Sequence, residues 1–125
     1  MAKLNVDQYV AAVALRLAHL TQTYAIVFFA SIATMFAILA YASSAGLAAR
    51  IALATIVVAN TVYGVLAAKS ALYDLKAMLD DAVDDFADSI FGAHLKQIPM
   101  ALFTGVSVLL VLAMGVTQLW AIISA

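Results

Sequence analysis

Residues 23–49 read TYAIVFFASIATMFAILAYASSAGLAA, and no Asp, Glu, Lys, Arg or His interrupts them. The same holds for residues 51–68, IALATIVVANTVYGVLAA, and for residues 97–125, QIPMALFTGVSVLLVLAMGVTQLWAIISA. At 1.5 Å per helical residue, each stretch can cross a hydrocarbon core of about 30 Å. The charge sits almost wholly in residues 1–22 and 69–96. The pattern predicts an all-α integral membrane protein with three transmembrane helices. Its first two helices should extend beyond the bilayer as an antiparallel hairpin, all within one membrane domain spanning residues 1–125.

Composition agrees with this reading. The chain has 125 residues, 67% of them hydrophobic and 10% charged, and a soluble domain of this size could not bury so much apolar surface. The environment it implies is a lipid bilayer. A net charge of −1 gives no electrostatic case for nucleic acid as a partner. Cysteine is absent, which removes disulfides, thiolate metal sites and cysteine nucleophiles. No cleavable signal is expected, because the first apolar run is too long for a signal h-region.

Outward from the charge-free stretches, the elements take shape. Asn5 or Asp7 can cap a first helix by accepting free N–H groups of its first turn. Val6, Val10, Val13, Leu17 and Leu20 recur at spacings of four and three, predicting an amphipathic helix over residues 4–22 with one apolar seam. That helix should run on into a span over residues 23–42. Tyr24 and Tyr41, about 25 Å apart along it, suit the two membrane interfaces. Residues 43–46, SSAG, predict a tight turn in which Gly46 supplies backbone freedom. The second span covers residues 47–68, with Arg50 reaching back to the headgroups.

The second helix should continue over residues 69–91, its stripe of Leu72, Leu75, Leu79, Ala82 and Phe86 packing on the first seam, and end at Gly92. Pro99 suits the first turn of a third span over residues 99–123, which places Trp120 near an interface. Lys3, Arg16, Lys69, Lys76 and Lys96 fall on one side, against Arg50 near the other. Basic residues favour the cytoplasmic face, so the N terminus is expected in the cytoplasm and the C terminus outside. Composition suggests a bacterial inner membrane.

The densest chemistry is acidic. Asp80, Asp81, Asp84, Asp85 and Asp88 fall within nine residues, with Asp80, Asp84 and Asp88 on one helical row. Three roles are open to them: candidate ligands for a hard cation such as Mg²⁺ or Ca²⁺, a face for a basic partner, or the vestibule of a cation pore formed by several copies. The plain alternative is a solvated helix face. Residues 80–84, DDAVD, also spell the DDxxD string of diphosphate-binding prenyl-transfer enzymes. Those enzymes need a second aspartate cluster, which this sequence lacks, so nothing is carried over. A surface helix followed by three spans resembles, in plan, bacterial diacylglycerol kinase. Such a kinase needs a glutamate base, and the chain contains no glutamate, so it is not assigned there.

Within the spans the polar residues are few. Asn60 stands out, accompanied by Thr61, Tyr63, Thr104, Ser107, Thr117 and Gln118. An amide in hydrocarbon seeks a partner, so Asn60 should face another helix. Asn60, Gly64 and Ala68 form a row of small or polar residues, and Ala101 with Gly105 forms another candidate helix-packing face, as does Ala33 with Ala37. The partner could be the same chain, a second copy or another protein. His19 and His94 lie near the charged side and read as interfacial residues. The spans contain no ionisable residue beyond Arg50, no phosphate-cradling loop and no catalytic triad arrangement. Neither catalysis nor a cofactor is expected. The functional expectation is an accessory, stabilising or assembly subunit of a larger membrane complex. The alternative is a homo-oligomeric pore or cation channel with the acidic row as its vestibule.

Overall fold

The computed structural model describes residues 5–86 and 88–125, with the side chains of residues 82–86, 91 and 95 outside the description. Among the described residues four helices follow one another: α1 (Val6–Tyr41), α2 (Leu47–Phe86), α3 (Ile90–Lys96) and α4 (Met100–Ser124). Among the described residues there is no strand. Three of the helices, α1, the Leu47–Asp81 part of α2, and α4, are long and apolar enough to cross a membrane.

Each boundary has a local cause. Asn5 caps α1: its side chain accepts from the Gln8 N–H at 2.8 Å, and the Gln8 side chain accepts from the Asn5 N–H at 3.2 Å. With no Pro or Gly inside it, α1 runs unbroken for 36 residues. At its far end the Ser44 hydroxyl donates to the Tyr41 carbonyl, which the helix leaves open. No residue of the described backbone has a positive φ, so the turn places no left-handed demand on Gly46. Gly46 instead contributes its carbonyl, which accepts the Arg50 N–H at 3.1 Å and starts α2.

At the other end, α2 stops at Phe86 rather than near residue 91. Ser89 begins a new helix there, its hydroxyl accepting the Gly92 N–H at 2.9 Å. Gly92 therefore lies inside α3 and does not terminate a helix. Pro99 stands as the N-cap of α4, its carbonyl accepting the Phe103 N–H at 3.1 Å.

α1 and α2 form an antiparallel pair, α4 packs most extensively on α2, and α1 and α4 touch least. Near the α1–α2 turn, Ile38, Ala42, Val57 and Ile122 close a small core, with Leu53, Ala54, Leu119 and Ala121 against it. Toward the other end, α1 and α2 stay linked. The Tyr9 hydroxyl donates to the Met78 carbonyl at 2.9 Å, and Arg16 Nη1 pairs with Asp74 Oδ2 at 2.9 Å.

The seam of α1 differs from the one its spacing suggests. Val6, Val10 and Leu17 are exposed, whereas Tyr9, Val13 and Leu20 are half-buried, and Thr23, Val27, Ser31 and Ile38 continue that line as buried positions. Both faces of α1 carry apolar residues, so spacing alone does not choose between them. The hydrogen bond made by Tyr9 and the close fit of small and polar residues further along do. On α2, Leu72 is buried and Leu75 and Leu79 half-buried, as the stripe suggests, while the side chains of Ala82 and Phe86 lie outside the described residues.

Candidate functional site

The three long helices converge on Ser31. From α2, Asn60 Nδ2 donates to the Ser31 hydroxyl at 3.0 Å. From α4, Gln118 Nε2 donates to the Ser31 carbonyl at 2.8 Å. Gln118 is only 3% exposed and Ser31 only 5%. In an apolar surrounding, amides brought together in this way hold helices at one register, because separating them strands polar groups. A second link, Tyr24 Oη to Ser107 Oγ at 3.1 Å, joins α1 to α4. Tyr24 thus turns into the bundle rather than serving only as an outer anchor, while Tyr41 is exposed.

Small residues let the backbones approach. A Cβ on Gly64 would stand 2.9 Å from Val111 Cγ1 and 3.1 Å from Val27 Cγ1. A Cβ on Gly115 would stand 2.3 Å from the Thr61 hydroxyl oxygen. The row Asn60, Gly64, Ala68 therefore meets the chain's own helices, Gly64 and Ala68 being buried and Asn60 half-buried. Ala101 and Gly105 do not, since both are exposed and a Cβ on Gly105 would meet nothing within 4 Å. Ala33 is exposed and Ala37 half-buried.

Sequence reasoning passed over Ser31, where the three helices are joined by hydrogen bonds, and Gly115, where a Cβ would meet Thr61 at 2.3 Å. A signal for Gly115 was present: Val111, Gly115, Gln118 and Ile122 are the buried positions of α4, spaced four, three, four, with a small and a polar residue among them. That combination marks a packing face in membrane helices. Ser31 had no comparable signal, since small residues also occupy the exposed side of α1.

Between α1 and α4, where contact is sparse, lies a cleft of about 370 Å³. Phe28, Ile32, Met35, Leu110 and Met114 give it apolar walls, and Ser31 and Gln118 reach it from within. A second cleft, of about 440 Å³, lies where Lys76, Asp80 and Lys96 meet the start of α4 at Pro99 and Met100.

The acidic segment is only partly in view. Asp80 and Asp81 are exposed on α2, and Asp80 pairs with Lys76 one turn away. Asp88 is exposed beyond the end of α2, so it leaves the helical row that its spacing from Asp80 suggests. The side chains of Asp84 and Asp85 lie outside the described residues. Among the described residues, no three His, Cys, Asp or Glu side chains come close enough to share a metal ion. His19 and His94 are both exposed.

Hydroxyls elsewhere in the long helices bond inward to their own backbone. Thr34, Thr55, Thr61, Thr104 and Thr117 each donate to the carbonyl four residues earlier. Among the described residues, no fully enclosed side-chain nitrogen or oxygen lacks a partner. Compared with protein-family models, with curated proteins and with solved structures, the chain matches none.

Proposed function

We propose that this chain is a non-catalytic integral membrane protein that acts as an accessory or assembly subunit of a larger membrane complex. One observation carries the reading: Ser31, Asn60 and Gln118, each a polar residue on a different apolar helix, bond to one another and join the three helices. What faces outward is a broad apolar surface, including Phe28, Phe29, Phe36, Leu66, Leu109 and Trp120. Such a surface suits lipid and neighbouring helices and offers no reactive group.

In this reading residues 23–41 of α1, residues 47–68 of α2 and most of α4 lie in a bacterial inner membrane. The N terminus and the charged α1–α2 arm lie in the cytoplasm, and the C terminus lies outside. The excess of lysine and arginine at the arm supports that orientation. The exposed aspartates then stand in water, available to a basic partner.

The pore alternative asks for a polar stripe facing neighbouring copies. The bonding of Thr55, Thr104 and Thr117 back to their own helices favours the subunit reading over it. The test is native mass spectrometry after extraction from the native membrane in mild detergent. Co-purification with larger subunits at a fixed ratio is the expected outcome. Recovery of this chain with no other protein, together with conductance in planar bilayers, would overturn it in favour of the pore.

A further inference from the structure

Gln118 uses its Nε2 on Ser31, but among the described residues its Oε1 accepts no hydrogen bond. Among the described residues no fully enclosed side-chain polar atom is left without a partner, so Oε1 is not fully enclosed, and Gln118 lines the α1–α4 cleft. The mostly apolar cleft therefore holds an amide acceptor, beside the hydroxyl of Thr117, which donates to the Ala113 carbonyl. A donor is also free at the same height. Tyr63 on α2 is 52% exposed and makes no hydrogen bond among the described residues. It follows Asn60 by three residues, about 4.5 Å along the axis. Helical side chains lean toward the helix N-terminus, which carries the phenol toward the level of Asn60, where Ser31 and Gln118 lie.

We propose that the α1–α4 cleft receives Tyr63 of a second copy of this chain, whose phenolic O–H donates to Gln118 Oε1. The inference rests on the membrane reading above and names the first partner within it. Copies inserted in one orientation keep matching groups at matching depth, so only lateral approach is needed. A lipid hydroxyl is a poorer match, because it sits at the headgroups while the Ser31 level is near the middle of a core about 30 Å thick. A cleft of about 370 Å³ accepts a tyrosine ring, whereas a whole helix is about 10–12 Å across. Donor and acceptor lie on different faces of the bundle, so the contact is head-to-tail and can close into a ring.

The chain has no cysteine, so Ala125→Cys gives a single labelling position. Donor- and acceptor-labelled chains are mixed in phosphatidylcholine vesicles, floated on a density gradient, and read by energy transfer against chain-to-lipid ratio. Association is expected, weakened on the order of three- to tenfold by Tyr63→Phe, which keeps the ring and removes the donor. Ala113→Phe, at an exposed position lining the cleft, should block it, with helicity checked by circular dichroism. Chains that float but remain monomeric overturn the inference alone, and so does association unchanged by Tyr63→Phe. Chains that fail to float overturn the membrane reading and the inference with it.

Discussion

Thr61 and Gly115 meet so closely that a single methyl group cannot be placed between them. A Cβ on Gly115 would lie 2.3 Å from Thr61 Oγ1 and 2.9 Å from Thr61 Cγ2. The Thr61 hydroxyl is held by the Val57 carbonyl at 2.8 Å, so it cannot swing away without losing that bond. Gly115→Ala must therefore push α2 and α4 apart. Overpacking of this kind costs about 1–3 kcal/mol. Unfolding in mixed micelles of rising SDS fraction should show that loss. Gly64→Ala should lose less, because the nearest contacts of its Cβ, at 2.9 and 3.1 Å, are longer than the 2.3 Å at Gly115. Equal stability of Gly115→Ala and the parent would contradict this packing.

The two bonds at Ser31 should respond differently to deletion. Gln118 donates to a backbone carbonyl that its own helix also uses, so Gln118→Leu leaves no group orphaned. In the monomer it should change stability by less than about 1 kcal/mol. Ser31→Ala removes the acceptor of Asn60 Nδ2 and strands a half-buried amide. It should cost about 0.5–2 kcal/mol, in the range of interhelical hydrogen bonds in membranes. The comparison is made by the same SDS titration at high dilution. A larger loss for Gln118→Leu than for Ser31→Ala would reverse the assignment.

Salt separates two links of the α1–α2 arm. Arg16 and Asp74 pair with side chains about half exposed, at 53% and 46%. Asp74→Asn should cost no more than about 0.5 kcal/mol, and that small effect should vanish near ~1 M salt, where the Debye length is ~3 Å. Tyr9 donates to the Met78 carbonyl, an uncharged bond. Tyr9→Phe should cost about 1 kcal/mol at any ionic strength. Hydrogen exchange along the arm, measured at low and high salt, reads both. A Tyr9→Phe effect that fades with salt would show that the arm is held by charge instead.

The three long apolar helices were legible because charge is excluded over three long stretches, and that signal does not depend on packing. The cap at Asn5 was legible because its chemistry is local. The inner faces were harder to read. Along α1, Val6 and Val10 are as apolar as any interior residue, yet both are exposed, at 63% and 58%. Apolar residues stand on both faces of α1, exposed Val6 and Val10 as well as half-buried Val13 and Leu20, so periodicity has little contrast there. The informative residues there are small or polar ones at helical spacing. Asn60 and Gly64 were read in that way, while Gly115 went unnoticed among the residues of α4.

Gly105 separates packing within the chain from packing outside it. It lies exposed in the interior of α4, with nothing within 4 Å of a built Cβ. In the isolated chain Gly105→Ala should therefore be neutral or stabilise by up to about 1 kcal/mol, the difference in helix propensity. Ala101 is exposed one turn away on the same face. If a partner helix approaches there, an added methyl and, more so, Gly105→Leu must hold it off, because close backbone contact needs small residues. The expected result is a chain at least as stable alone but recovered with less of its partner after mild extraction. SDS titration gives the first quantity and quantitative mass spectrometry of the extract gives the second. Unchanged partner recovery with Gly105→Leu would place the contact on another face of the bundle.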